Sequence, residues 1–257
     1  MMRTRIGLIA LLGSLVLVGS VALTRSTGLT ARFPGLDRVE SAAEVAREGD
    51  RETVLLVAGK PVTAAELAEM EHWVAANLTW MREVGTSGAV TAEQRAFLER
   101  QAGLIERHGV PTVALASLIV DRAVAAAAER EGLWPDERTV RERVARDREV
   151  AATSDDPRLK AYLAAFGEET FWDEHYPRVI ALEIAEERLY EARTKGEPDA
   201  ARRQALWLTE ERALALGAPI EVVVPERLPA SIDAALQYLA EYYDLQLSGS
   251  GSIRPSG

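Results

Sequence analysis

Ionisable side chains vanish early in the chain: Ile6 to Leu23 run 18 residues without a charge, with Arg3 and Arg5 before them and Arg25 after. As a helix such a run reaches about 27 Å, close to the roughly 30 Å hydrocarbon core of a bilayer. Arginines ahead of the run place the N-terminus in the cytoplasm and the rest of the chain outside. The run exceeds the ~7–15 apolar residues of a cleaved leader, whereas Ser20-Val21-Ala22 offers the small residues of a cleavage site. Residues 1–28 are therefore read as a membrane anchor or a signal peptide, with both alternatives open. Residues 29–52 are polar and irregular and read as a linker with one short helix near Ala42–Glu48.

Two short aliphatic, β-branched runs read as strands, Thr53–Val57 and Ile220–Val224. Between them the pattern is helical. Gly59-Lys60-Pro61 turns the chain, and Thr63 with Glu66 makes a capping box that starts a helix at Ala64. That helix carries Leu67, Met70, Trp73, Val74, Leu78, Trp80 and Met81 on one wide apolar face. Further helices are predicted over Thr91–His108, Thr112–Glu131, Glu137–Ala152, Arg158–Phe166, Glu168–Thr194 (with a kink at Pro177), Asp199–Leu216 and Ser231–Leu245. The Thr112–Glu131 helix is apolar almost all round, which predicts a central position in a bundle. Each strand lacks a partner for its ladder, so the two are expected to pair and return the end of the chain to its beginning. The boundaries that result are a helical domain over 53–228, a C-terminal helix over 229–247 and a disordered Gly/Ser-rich tail over 248–257.

Composition narrows the chemistry. The 30 cations and 40 anions give a net charge of −10. Removing Arg3, Arg5 and Arg25 with the leader leaves 27 against 40, or −13. An acidic chain disfavours nucleic acid as a partner, because phosphates need clustered cations. No cysteine is present, which excludes disulfides, thiol nucleophiles and cysteine-held metals. His72, His108 and His175 belong to no H-E-x-x-H or similar ligand set and read as surface or boundary residues. No G-x-S-x-G, Walker or G-x-G-x-x-G motif occurs in a strand–helix context. The pairs Glu168-Glu169 and Glu186-Glu187 read as solvated helix surface. No catalytic, cofactor-binding or metal-binding residue is assigned.

The order of these signals resembles the N-terminal chaperone domain of SurA-like and PrsA-like extracytoplasmic foldases. Val57-Ala58-Gly59-Lys60-Pro61-Val62-Thr63-Ala64-Ala65-Glu66-Leu67 is similar to the family's V-N-G-x-x-I-T turn and following E-L helix, with Ala58 in place of Asn. Leu118 to Gly132-Leu133, then Pro135-Asp136-Glu137-Arg138-Thr139-Val140, resembles the next block. Phe166-Gly167-Glu168-Glu169 through Tyr190 resembles the third, and Ile220–Val224 the closing strand. The resemblance covers roughly 53–225 and implies a mainly α, SurA-N-like multi-helix bundle with a small sheet pairing an N-terminal and a C-terminal strand. The family usually carries parvulin-type prolyl isomerase domains after the long helix; here that junction is Lys195-Gly196-Glu197-Pro198. The resemblance thus implies a chaperone without that catalytic domain.

The resulting expectation is a membrane-anchored extracytoplasmic chaperone, held through residues 6–23, that binds unfolded or newly exported polypeptides without a cofactor. If the leader is cleaved, the protein is secreted or periplasmic. Two alternatives stand beside it: a peptidyl-prolyl isomerase with a cryptic site, and a structural assembly subunit with one fixed partner. The expected client groove is lined by Met70, Trp73, Trp80 and Met81, since methionine and aromatic side chains suit adaptable surfaces.

Overall fold

The computed structural model describes residues 36–86, 90–154 and 156–250. Helix α1 (Leu36–Glu48) leads into a hairpin of β1 (Thr53–Val57) and β2 (Lys60–Thr63). Six helices follow: α2 (Ala64–Thr86), α3 (Ala92–His108), α4 (Val110–Arg130), α5 (Glu137–Ala151), α6 (Pro157–Phe166) and α7 (Tyr176–Arg193). Then come α8 (Ala200–Leu216), β3 (Ile220–Val222) and α9 (Ile232–Ser250). The fold is mainly helical with one three-stranded antiparallel sheet, ordered β2-β1-β3. The residue 6–23 run and the end of the tail lie outside the described residues.

The two strands read from the sequence do pair. Leu55 faces Val222, Leu56 faces Glu221 and Val57 faces Ile220. Val223 N donates to Val54 O (2.9 Å), and Ala58 N donates to Pro219 O (2.7 Å). The central strand is also half of a hairpin that the sequence reading took for a turn. Its two-residue connection, Ala58-Gly59, has φ of 49° and 77°, the left-handed pair that a tight hairpin turn requires. Pro61 masked β2, because proline normally argues against a strand; β2 is an edge, where proline is tolerated. The capping box is present: Thr63 N donates to Glu66 Oε2 (2.8 Å), and Glu66 N to Thr63 Oγ1 (3.2 Å).

Around the sheet the helices build two apolar cores. The first is centred on α4, whose residues are buried from Thr112 to Val120 and from Ala123 to Ala128. By length and composition α4 could cross a membrane, but most of it lies buried inside the fold. The second core gathers Tyr162, Phe166, Phe171, Trp172 and Tyr176 with Val39, Ala42 and Ala43 of α1. The expected linker over 29–52 therefore needs correcting. Its residues 36–48 form a helix that packs on α2 and α6, with Val39, Ala42 and Ala43 fully buried on one face. The charged residues around them concealed that three-residue stripe. Helix α9 likewise extends to Ser250, three residues into the expected tail.

The kink expected at Pro177 takes the form of a π-helical turn over Phe171–His175, between a single turn at Glu168–Thr170 and α7. Proline offers no N–H to the carbonyl four residues before it. The wider turn closes instead through Tyr176 N to Phe171 O. It carries Phe171, Trp172 and His175 in quick succession toward the second core.

Ala58 holds a left-handed conformation that costs an L-residue with a Cβ roughly 1–2 kcal/mol and that Asn tolerates better. Ala58→Asn should raise stability by about 0.5–1 kcal/mol. A higher denaturation midpoint at unchanged m-value is the expected reading. An unchanged midpoint would mean the turn is not strained.

Candidate functional site

The expected groove on α2 is not formed as read. Trp73 and Met81 are buried, at 7% and 2% exposure, while Met70 and Trp80 are half-buried and pack against core residues. The reason lies in the position of α2. Leu67, Val74 and Met81 face the first core, while Trp73 and Ala76 face the second. The wide apolar face is two narrower faces side by side, with Met70 touching both cores. The Trp73 ring lies 5.2 Å from the Tyr162 ring, tilted by 32°.

Beside Trp73 is a polar cluster that the sequence reading missed. The Tyr162 hydroxyl donates to Glu69 Oε1 (2.8 Å) and lies 3.2 Å from His175 Nε2. Trp73 Nε1 approaches the same carboxylate oxygen at 3.4 Å. Both Glu69 and His175 are mostly covered, at 16% and 17% side-chain exposure. Burial pushes the Glu69 carboxyl up to about 7, against the hydrogen bonds from Tyr162 and Trp73. Burial pulls the His175 imidazole down to about 4, helped by the charge of Arg178. The π-helical turn is what brings His175 here, so the expectation of a boundary histidine holds only for its partial exposure. His108 pairs with Glu241 (3.2 Å), and His72 sits half-buried on α2 with Nδ1 unpartnered.

Helix α5 was read as presenting a solvated Arg/Glu face, and Arg138–Glu142 and Arg141–Glu137 fit that reading. Arg143 does not. Its guanidinium bonds Asp147 Oδ2 (2.9 Å) and Glu183 Oε1 (3.0 Å) across to α7, and the Tyr176 hydroxyl donates to Asp147 Oδ2 (2.7 Å). Even so, burial holds Glu183 up at about 7. One cation among several carboxylates cannot offset the desolvation of each.

A third polar feature is a cavity where α4, α7, α8 and α9 meet. Asp121, Glu186 and Glu211 line it together with Gln204, Trp207 and Tyr242. Burial raises all three carboxyls, Asp121 to about 6 and Glu211 to about 7. Glu211 accepts from the Tyr243 hydroxyl (3.0 Å). The sequence reading placed Glu186-Glu187 on a solvated surface. That holds for exposed Glu187 but not for Glu186, which turns toward the cavity. The available cue was Asp121 in the middle of a helix otherwise apolar almost all round.

These arrangements can move and share protons near neutral pH. Among the described residues no group of three or more His, Asp or Glu side chains is placed to hold a metal ion.

Two outcomes follow. Truncating a buried tryptophan typically costs about 3–5 kcal/mol, so Trp73→Ala should destabilise the fold by that order, read as a lowered thermal midpoint. A near-unchanged midpoint would restore Trp73 to a surface role. The second outcome concerns Glu69, whose folded pKa lies above its ordinary value of 4.5. Between 4.5 and about 7 the folded state binds the extra proton, so wild-type stability from this group falls as pH rises. Glu69→Gln should therefore be more stable than wild type above pH 7, by up to about 3 kcal/mol. The advantage should shrink as pH falls through 7 and be gone below 4.5. His175 acts oppositely in both proteins, losing stability as pH falls from 6.5 to about 4. Denaturation midpoints of the two proteins across that range test the difference; a constant offset would refute it.

Set against protein-family models, curated proteins and solved structures, the chain matches none.

Proposed function

We propose that the protein is an extracytoplasmic, membrane-anchored chaperone that holds extended segments of non-native exported polypeptides. Its client site is the free edge of the small sheet rather than a groove on α2. The observation that carries this reading is the contrast between the two sheet edges. Natural proteins guard edge strands, because unpaired backbone groups template the addition of another strand. At β2 the guard is visible: Pro61 lies in the strand, and Arg122 Nε donates to its carbonyl (2.7 Å). At β3 no such guard stands among the described residues. Val222 and Val223 are exposed at 37% and 48%, two of the three large apolar side chains so placed among those residues.

The register supports an available edge. Bonds from Ala58 N to Pro219 O and from Val223 N to Val54 O turn alternate residues of the strand toward β1. The backbone groups of Ile220 and Val222 then face outward. An extended apolar segment can add there, with main-chain hydrogen bonds supplying affinity and the valines supplying apolar contact. Exposed Glu221 and Glu226 and the acidic balance of the chain favour segments that are apolar and basic. The order of strand, turn, capped helix and closing strand is the further support that the resemblance to foldases lends. Anchoring through residues 6–23 would keep such an edge beside the site of export.

The test is suppression of aggregation of a chemically unfolded secreted protein. The purified chain should suppress it at near-stoichiometric ratios. Val222→Lys with Val223→Lys should abolish most of that effect while leaving the thermal midpoint within a few degrees, because both side chains are already solvated. If the wild-type chain fails to suppress aggregation, the chaperone reading falls. If the double variant is as active as wild type, the edge assignment falls.

A further inference from the structure

We propose that the cavity between α4, α7, α8 and α9 is a binding site for the ammonium group of an aliphatic amine. The inference is independent of the strand-edge reading. Three acidic side chains, Asp121, Glu186 and Glu211, come from three different helices to one cavity of about 30 Å³. That is about one water's share of liquid volume, and so about the room an ammonium head needs. Elsewhere in the fold the covered carboxylates have cations: Glu66 has Arg122, Asp147 and Glu183 share Arg143, and Glu131 has Arg193. Here the nearby cations are turned away. Arg122 follows Asp121 in the chain but reaches Glu66 and the Pro61 carbonyl, and Arg193 reaches Glu131 and Glu210. Among the described residues Glu186 has neither a hydrogen-bond donor nor an ion-pair partner.

A second observation marks the wall as incomplete. The Gln204 Nε2 atom lines the same place, is wholly buried and has no hydrogen-bond partner. A buried unpaired donor costs roughly 1–3 kcal/mol, so its acceptor is expected from outside the chain. A water carried in with the ammonium supplies one. The remaining lining is apolar and aromatic, with Val120, Val124, Leu182, Leu208, Trp207 and Tyr242. This suits the methylene stem of an amine, and the two rings add cation–π attraction. Asp121, Glu186 and Glu211 keep partial exposure, so the site communicates with solvent. A metal ion is the wrong size. Hard cations draw oxygens to about 2.0–2.6 Å, whereas N–H···O bonds to an ammonium span about 2.7–2.9 Å. The acidic groups here do not converge closely enough for a metal.

The ammonium can belong to a free amine or to a lysine side chain of a polypeptide, and the experiment separates the two. The full-length chain is titrated by calorimetry with butylamine, with Nα-acetyl-lysine methylamide and with butanol as the uncharged match. Butylamine should bind, butanol should not, and Glu186→Gln should weaken binding by about tenfold. Glu137→Gln, on the exposed start of α5, should leave it unchanged. Binding should also weaken as pH falls through about 7, because the carboxyls take up protons. That reading needs no variant and survives a misfolded one. Equal binding of the lysine derivative assigns the site to polypeptide side chains; binding of butylamine alone assigns it to free amines. The proposal is overturned if neither amine binds, if butanol binds as well as butylamine, or if affinity ignores pH.

Discussion

Helix α4 has almost no solvent face, and the rest of the molecule is arranged to enclose it. Its run from Thr112 to Val120 is buried on all sides, and Ala123 to Ala128 continue the burial with the smallest side chains. Covering such a helix takes α2, α3, α7, α8 and α9 together with the sheet. The stretch from Val110 to Ala128 carries two charged residues, Asp121 and Arg122. Adjacent positions on a helix point about 100° apart, so the two cannot share a destination. Arg122 goes to the sheet, where it fastens β2 and the start of α2. Asp121 goes to the opposite junction, where α7, α8 and α9 close over it. The guarded sheet edge and the acidic cavity are thus two consequences of one dipeptide.

The architecture was legible in the sequence wherever a local rule had one solution. Thr63 with Glu66, Asp136 and Asp199 each cap the helix they were read to cap. Two partnerless apolar runs, 160 residues apart, had one economical pairing. What escaped was whatever depended on tertiary neighbours. Val39, Ala42 and Ala43 make too narrow a stripe to distinguish a packed helix from a linker. On α2, periodicity reports which residues avoid water but not that two different cores receive them, so a sandwiched helix mimicked a client surface. Glu69, Glu186 and His175 look like any solvated helical residues, since a carboxylate facing inward leaves no mark on its own sequence neighbourhood.

The fold carries its acidic excess in two different ways. Around Arg143 the carboxylates are tied by a guanidinium and a tyrosine hydroxyl, and the cluster is satisfied but crowded with negative charge. Around the cavity they have one tyrosine bond among three and no cation. Burying a charge without a partner is costly, and side chains so placed usually take up a proton. The raised values of Asp121, Glu186 and Glu211 express that pressure. An apolar trio would pack such a junction at lower cost. The acidic trio is thermodynamically reasonable if an outside cation joins it for part of the time. The Glu69–Tyr162–His175 group differs, because its members satisfy one another and need no visitor.

Both candidate binding features belong to the segment that closes the fold. Helix α8 supplies Gln204, Trp207 and Glu211 to the cavity and runs into β3 through Gly217-Ala218-Pro219. Helix α9 follows β3 and supplies Tyr242. The strand is therefore held between two elements that wall the cavity, and its other neighbour is β1, the centre of the sheet. Deleting the chain beyond Ala218 would remove the free edge, open the cavity and expose Val54, Leu55 and Val57 together. Such a truncation cannot say which feature binds a client. The separation has to come from side chains that serve one feature alone. Val222 and Val223 touch the edge without lining the cavity, and Glu186 lines the cavity from α7, outside the closing segment altogether.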